Sequence, residues 1–176
     1  MKRNLILTFT CPDRPGIVEA VARQVNLFGG NWEESRSARL CGDFAGIARV
    51  TVAEETHQAL IEALQRIDLP EFSIQVKSTN SLAPLIDGTS TFQLACSGAD
   101  HEGIVTQIAS YLSRCGANLL EMETSIEPAP TTGTPIFTMH CELSLPSGFP
   151  REELVARLRE LETELDVDLT LDGSAV

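Results

Sequence analysis

Apolar residues recur along the chain at two spacings, and the spacing changes in the same order in each half. Two runs rich in β-branched and aromatic residues, 5–11 and 91–97, have the length of strands. Each run is followed by apolar positions three or four residues apart, which predicts a helix with one buried face. These positions are Ile17, Val21, Val25 and Phe28 in the first half and Ile104, Ile108, Leu112 and Cys115 in the second. The pattern predicts a strand and then an amphipathic helix, twice.

The remaining elements follow in the same series. Second strands are predicted over 31–40 and 118–126, third strands over 44–53 and 136–145, second helices over 57–67 and 151–165, and fourth strands over 72–79 and 167–171. The order β-α-β-β-α-β is that of the ferredoxin-like unit. We therefore predict an α+β protein with domains at 1–80 and 91–176 and a linker at 81–90. Because a unit of about 80 residues has a small core, we expect the two to pack as a pseudo-two-fold pair.

A direct repeat supports this duplication. Residues 13–36 align without gaps on residues 100–123, at an offset of 87 positions. The identical pairs are Asp13/Asp100, Gly16/Gly103, Ile17/Ile104, Val18/Val105, Ala22/Ala109, Gly29/Gly116, Asn31/Asn118 and Glu34/Glu121. A long unit that occurs twice indicates a pair of domains and not a solenoid.

The repeated segment joins the first strand to the first helix of each half. Helix N-termini present unpaired N–H groups and a partial positive charge, which suit a carboxylate or a phosphate. Gly16 and Gly103 lack a Cβ, so a small ligand can approach the backbone there. Asp13 and Asp100 are predicted to cap the helices and are also candidates to accept a ligand ammonium group. The residues therefore fit a site for a free amino acid.

The residues of the repeated loops and of the second strands fit either a ligand site or purely structural roles. Asn31 and Asn118 begin the second strands and are predicted to reach the same crevices with their amides. In the second copy Glu102 is predicted to lie in the first helical turn, where its charge would oppose a ligand carboxylate. Asp, Gly and Asn also serve tight turns, caps and strand starts without any ligand.

Charge excludes one class of partner. The chain has 13 Lys and Arg against 25 Asp and Glu, a net charge of −12. Residues 1–88 carry 9 basic and 11 acidic side chains (net −2), and residues 89–176 carry 4 and 14 (net −10). DNA-bound proteins need cations to neutralise phosphates, so the second half is predicted to repel nucleic acid. An effect on transcription would then pass through another protein.

The sequence lacks the patterns typical of catalysis, metal binding or membrane insertion. The five cysteines include no CxxC pair and the three histidines have no metal-ligand spacing, which favours reduced thiols in a cytoplasmic protein with no metal or cofactor. No GxSxG, HExxH, GxGxxG or phosphate-loop pattern occurs, and no apolar run approaches the roughly 20 residues of a membrane span. His140 and Cys141 are strand neighbours predicted to point to opposite faces. We predict a protein that is not an enzyme and has no catalytic residues.

The first copy of the repeat resembles a known signature. Residues 11–35, CPDRPGIVEAVARQVNLFGGNWEES, are similar to the signature of the ACT domain, a small-molecule-sensing regulatory module. Two such units, over about 4–79 and 91–172, are similar to the glycine cleavage system transcriptional repressor family. The resemblance implies ferredoxin-like units that pair side by side and bind amino acids at the pairing interface.

The resemblance also implies site residues and partners. The corresponding ligand-binding positions are Cys11, Asp13, Gly16, Ile17 and Asn31 in the first copy and Gly98, Asp100, Gly103, Ile104 and Asn118 in the second. Its implied partners are a small amino acid, with glycine or serine as candidates, a DNA-binding activator such as one of the LysR type, and a second copy of the chain in a homodimer. An alternative is a stand-alone ACT subunit that senses an amino acid and regulates or scaffolds a metabolic enzyme.

Overall fold

The chain forms two compact units, Met1–Ala83 and Pro84–Val176. The computed structural model describes residues 1–79, 90–172 and 174–175. The predicted linker at 81–90 lies outside the described residues except for Ser90, which begins a strand. The predicted packing of one unit on the other stays a prediction.

The first unit has the predicted order of elements. They are β1 (Lys2–Pro12), α1 (Ile17–Leu27), β2 (Asn31–Leu40), β3 (Asp43–Ala53), α2 (His57–Gln65) and β4 (Ser73–Thr79). The strands form one antiparallel sheet in the order β2-β3-β1-β4. Helix α2 ends two residues before its predicted end, because the amides of Arg66 and Ile67 bond to carbonyls three residues back, in the tighter 3₁₀ manner.

The second unit repeats the order and adds one short strand. Its elements are β5 (Ser90–Ala99), α3 (Ile104–Arg114), β6 (Asn118–Pro128), β7 (Pro135–Leu145), α4 (Arg151–Leu165), β8 (Val167–Leu171) and β9 (Ser174–Ala175). The sheet order is β6-β7-β5-β8-β9. The apolar pattern does not predict β9, since two residues are too few to show a period. The α+β prediction with two ferredoxin-like units is confirmed.

Strand alternation places one core between the sheet and the helices of each unit. In β1 the side chains of Leu7, Phe9 and Cys11 are buried, whereas Thr8 and Thr10 between them are exposed. The first core is completed by the apolar faces of α1 and α2, and the second by those of α3 and α4. The side of each sheet turned away from the helices, which we call the outer face, is left uncovered by them. Within residues 1–79 and 90–172, no helix combines the length and the apolar character that crossing a membrane requires.

Candidate functional site

The two repeated loops end in glycines that begin the helices. Gly16 (φ 95°) and Gly103 (φ 101°) are the N-cap residues of α1 and α3, and neither helix has a side-chain capping bond. The prediction that Asp13 and Asp100 cap the helices is wrong, because the chain makes a further turn before each helix begins. That turn needs a left-handed residue, which glycine supplies without a Cβ clash.

The amides of the first helical turn are therefore uncapped by side chains. The first backbone bonds into each helix are from Ala20 N to Gly16 O (2.8 Å) and from Gln107 N to Gly103 O (2.9 Å), so the N–H groups before them have no partner within the helix. Space beside the glycines is open. A Cβ at Gly16 would meet no atom within 4 Å, and one at Gly103 would meet only the Gln107 side chain, at 3.7 Å. Both loops present amide hydrogens to an anion.

An acidic residue is predicted in the first turn of α3, but the structure has one in the first turn of α1 instead. Glu102 precedes Gly103 and so lies outside α3, whose first turn has no acidic side chain. In α1 the first turn includes Glu19. The prediction that Glu102 lies in the first helical turn is therefore wrong. Because Glu102 directly precedes the N-cap residue, the effect of its charge on a ligand carboxylate stays a prediction.

The first loop is held by two arginines. The carboxylate of Asp13 forms an ion pair with Nε of Arg39 (2.8 Å), and the Asp13 amide donates to the carbonyl of Gly42 in the β2–β3 hairpin (2.8 Å). Arg14 donates to the carbonyl oxygens of Pro12 (3.3 Å) and Pro70 (3.1 Å). Asp13 is thus already paired with a cation, and Arg39 is a residue beside the loop that the sequence pattern did not reveal. No local pattern reveals it, since its distance from Asp13 depends on the register of β2.

The second loop has a histidine in place of Arg14 and no counterpart of Arg39. Asp100 N donates to the carbonyl of Pro135 (3.0 Å), and the Asp100 carboxylate makes no ion pair within the described residues. The ring of His101 lies with Nε2 2.7 Å from Leu165 O and Nδ1 3.0 Å from Glu102 O. The carbonyl of Leu165 and then that of Glu102 raise the pKa of His101, because both nitrogens donate only in the charged ring.

Several predicted site residues have their side chains in the core. Cys11, Ile17 and Ile104 are 2%, 3% and 2% exposed, so only their main chains can face a ligand. Burial raises the pKa of the Cys11 thiol, which keeps it protonated. Gly98 packs against Val167, since a Cβ at Gly98 would lie 2.7 Å from Cγ1 of that residue. These four positions therefore contribute to packing and offer a ligand no side-chain contact.

The two asparagines lie at the far end of the sheet from the loop of their own unit. Asn31 pairs with Thr51, which pairs with Asn4, whereas the loop follows Pro12. The strand from Asn4 to Pro12 spans roughly 26 Å at about 3.3 Å per residue. Asn118 has the same position in the second sheet. The prediction that either amide reaches the crevice of its own unit is wrong, because β2 and β6 run parallel to the first strand and begin beside its start.

The described residues bring no group of metal ligands together, and the thiol beside His140 is buried. Among them, no three His, Cys, Asp or Glu side chains are placed to hold a metal ion. His140 is exposed and Cys141 is 3% exposed, on opposite faces of β7. Burial raises the pKa of the thiols of Cys96, to about 11, and Cys141, so neither forms a thiolate at neutral pH.

Comparisons with known proteins agree with this architecture. The ACT domain family model matches residues 3–77. The crystal structure of an unknown protein from Galdieria sulphuraria is 32% identical, with 100% of this chain and 99% of that chain covered and a TM-score of 0.85. A crystal structure named "putative glycine cleavage system transcriptional repressor" is 20% identical, covers 97% of this chain and 96% of that chain, has a TM-score of 0.68, and shows the shared fold alone. No curated protein matches the sequence. The first unit belongs to the ACT domain family, whose model it matches over residues 3–77, and the second unit repeats the same βαββαβ order.

Proposed function

We propose that this protein senses a small amino acid in the cytoplasm and represses glycine cleavage genes by binding a DNA-binding activator. The observation that carries the sensing half is the pair of glycine-capped helices, whose first-turn amides are uncapped and open at Gly16 and Gly103. The protein acts by binding, and no catalytic residue is assigned.

The second loop offers the better complement to a zwitterion. A ligand carboxylate accepts from the amides at the start of α3, and the unpaired carboxylate of Asp100 accepts from the ammonium group. At the first loop Arg39 already neutralises Asp13. Glycine and serine are the candidates, because open space beside a residue without a Cβ suits a ligand with a small side chain.

Charge supports contact with a protein rather than with DNA. The net charge of −12, most of it in residues 89–176, repels phosphates. The likeness in fold to a structure named for a glycine cleavage repressor suggests which genes are controlled.

Calorimetry on the full chain tests sensing. Glycine and serine are titrated beside acetate and methylamine, each of which carries only one of the two charged groups. We expect heat on addition of glycine or serine. Acetate and methylamine are expected to bind much more weakly, since the site recognises both charges at once. No heat with any small amino acid would remove the sensing half.

Affinity capture from the native cell tests the partner. Recovery of a DNA-binding activator, and a gel shift that appears only when that activator is present, is the expected result. Recovery of a metabolic enzyme instead would favour the alternative of a stand-alone regulatory subunit. Binding of promoter DNA by the isolated chain would contradict the proposal.

A further inference from the structure

The residues that follow the two repeated aspartates make equivalent contacts in the two units. Arg14 and His101 are 87 positions apart, the offset that relates the two halves. Nη2 of Arg14 donates to the carbonyl of Pro70 (3.1 Å), which lies between α2 and β4. Nε2 of His101 lies 2.7 Å from the carbonyl oxygen of Leu165, the last residue of α4. In each unit this side chain joins the repeated loop to the region that leads from the second helix into the fourth strand.

Each of the two side chains also contacts a carbonyl near it in the chain. Nε of Arg14 donates to Pro12 O at 3.3 Å, and Nδ1 of His101 lies 3.0 Å from Glu102 O. A guanidinium has five N–H groups and stays charged, so Arg14 keeps both contacts over the whole neutral range. An imidazole donates from both nitrogens only when the ring is charged. The first contact is therefore permanent, whereas the second depends on pH.

The surroundings of His101 favour the charged ring. The last carbonyls of a helix have no partner within it and carry a partial negative charge, which a cation stabilises. The last turn of α4 contains no basic residue, so His101 supplies this cation from outside the helix. The charged groups around the ring are all acidic: Asp100 and Glu102 in its own loop and Asp166 at the end of α4. The next strand, β8, begins there with the apolar Val167.

Loss of the proton disrupts this arrangement. A neutral ring has one N–H group and one nitrogen lone pair. Whichever nitrogen loses its proton turns that lone pair towards a carbonyl oxygen no more than 3.0 Å away. Because two lone pairs at this distance repel each other, the neutral ring cannot keep both contacts. His101 is exposed, so its proton exchanges readily with solvent.

We propose that His101 is a pH-dependent tether of the second repeated loop: the charged ring holds the loop to the end of α4, and loss of the proton releases it. Gly103, which begins α3, lies two residues after His101, so the tether acts on the start of that helix. Histidine suits this role because its charge changes near neutral pH. The first loop, held by Arg14, is a reference within the same molecule.

The tether also acts on ligand affinity, and this part rests on the proposed function. A loop that is already held loses less freedom when a ligand binds to it. The affinity of the second loop for glycine is therefore expected to fall by about twofold to fivefold as the ring loses its proton, the effect of one charge at a helix terminus. The second loop then responds to pH as well as to an amino acid.

Nuclear magnetic resonance on the full chain tests the tether without any ligand. The signals to follow are those of the His101 ring and of the Gly103 and Asp166 amides, which lie on the two sides of the contact. Between about pH 5 and about pH 8 all three are expected to shift with one midpoint, above the ordinary histidine value of about 6.5. The amide of Gly16 in the first loop is expected to shift little over this range.

Three variants assign the transition. His101→Arg is expected to keep the Gly103 amide at its low-pH position throughout, and His101→Ala is expected to keep it at its high-pH position. His140→Ala removes another exposed histidine and is expected to leave the transition unchanged. A midpoint at or below the ordinary value, a Gly103 signal that does not follow the ring, or a transition that persists in His101→Ala would each overturn the proposal.

Calorimetry with glycine below and above the midpoint separates this inference from the proposed function. The affinity of the parent chain is expected to fall as the pH rises, whereas that of His101→Arg is expected to stay constant. Equal affinities of the parent on the two sides of the midpoint would overturn the effect on the ligand. If glycine bound at neither pH, the sensing function would fail, and the resonances alone would decide the tether.

Discussion

Asp13 and Arg39 form an ion pair, with Oδ2 2.8 Å from Nε, that ties the first repeated loop to the end of β2. The position equivalent to Arg39 in the second copy is Ile126, so Asp100 has no such cation. The two loops share their backbone conformation and differ in charge. The duplication therefore produced two related loops that are not expected to bind one ligand equally well.

Asp100→Asn is expected to weaken glycine binding more than Asp13→Asn does. A hydrogen bond to a charged group contributes about 1.5–3 kcal/mol, so the first change is expected to cost about tenfold to a hundredfold in affinity. The Asp13 carboxylate already serves Arg39, and its loss is expected to cost less. Calorimetry on the two variants measures the difference, with Asp68→Asn as the exposed control. Equal losses in both would contradict the charge argument.

Gly16→Ala and Gly103→Ala are each expected to lower the free energy of unfolding by roughly 1 kcal/mol. The cause is the positive φ at both residues and not crowding, because the space beside them is open. Asparagine adopts this conformation more readily, so Gly16→Asn and Gly103→Asn are expected to cost less. Urea titration of the four variants measures this order. An alanine variant as stable as the parent would show that the left-handed conformation is not required.

Gly46→Ala is expected to destabilise the first unit by about 1–3 kcal/mol through overpacking. A Cβ at Gly46 would lie 2.5 Å from Cζ of Phe9, whose ring centroid is 6.3 Å from those of both Phe44 and Phe72. The ring cannot move without displacing these neighbours. Thermal unfolding measures the loss, and Ala45→Ser on the exposed side of the same strand is the control. Equal stability of Gly46→Ala and the parent would show that Phe9 and the rings beside it can move aside without a loss of stability.

The second unit is expected to lose stability as the pH rises through the pKa of His101. That pKa is raised in the folded protein by the carbonyls of Leu165 and Glu102. The contribution is complete below the unfolded value of about 6.5 and disappears as the pH passes above the folded value.

His101→Gln is expected to remove this slope from unfolding titrations at a series of pH values. His101→Arg, which carries the residue type found at position 14, is also expected to remove the slope, because its charge is constant over this range. A slope that persists in both variants would assign the pH dependence to another group.

The periodicity of apolar residues predicted the elements well because the helices and the central strands bury one face. The loops were predicted less well. That Asp13 and Asp100 precede the helices is visible in the sequence, but the cap at Gly16 and Gly103 depends on where the backbone turns. Arg39 reaches Asp13 only through the register of β2 with β3.

The order of apolar and polar residues and the internal repeat were enough to establish two βαββαβ units. Both features can be read from the sequence, since the spacing of apolar residues reflects which face of each element is buried. Folding in three dimensions was needed to show that Asn31 and Asn118 lie far from the loops of their own units. It also set Glu121 opposite Glu142 and brought His101 to the end of α4. These relations join residues from separate strands and helices, so they follow from strand register and packing, which no short stretch of sequence specifies.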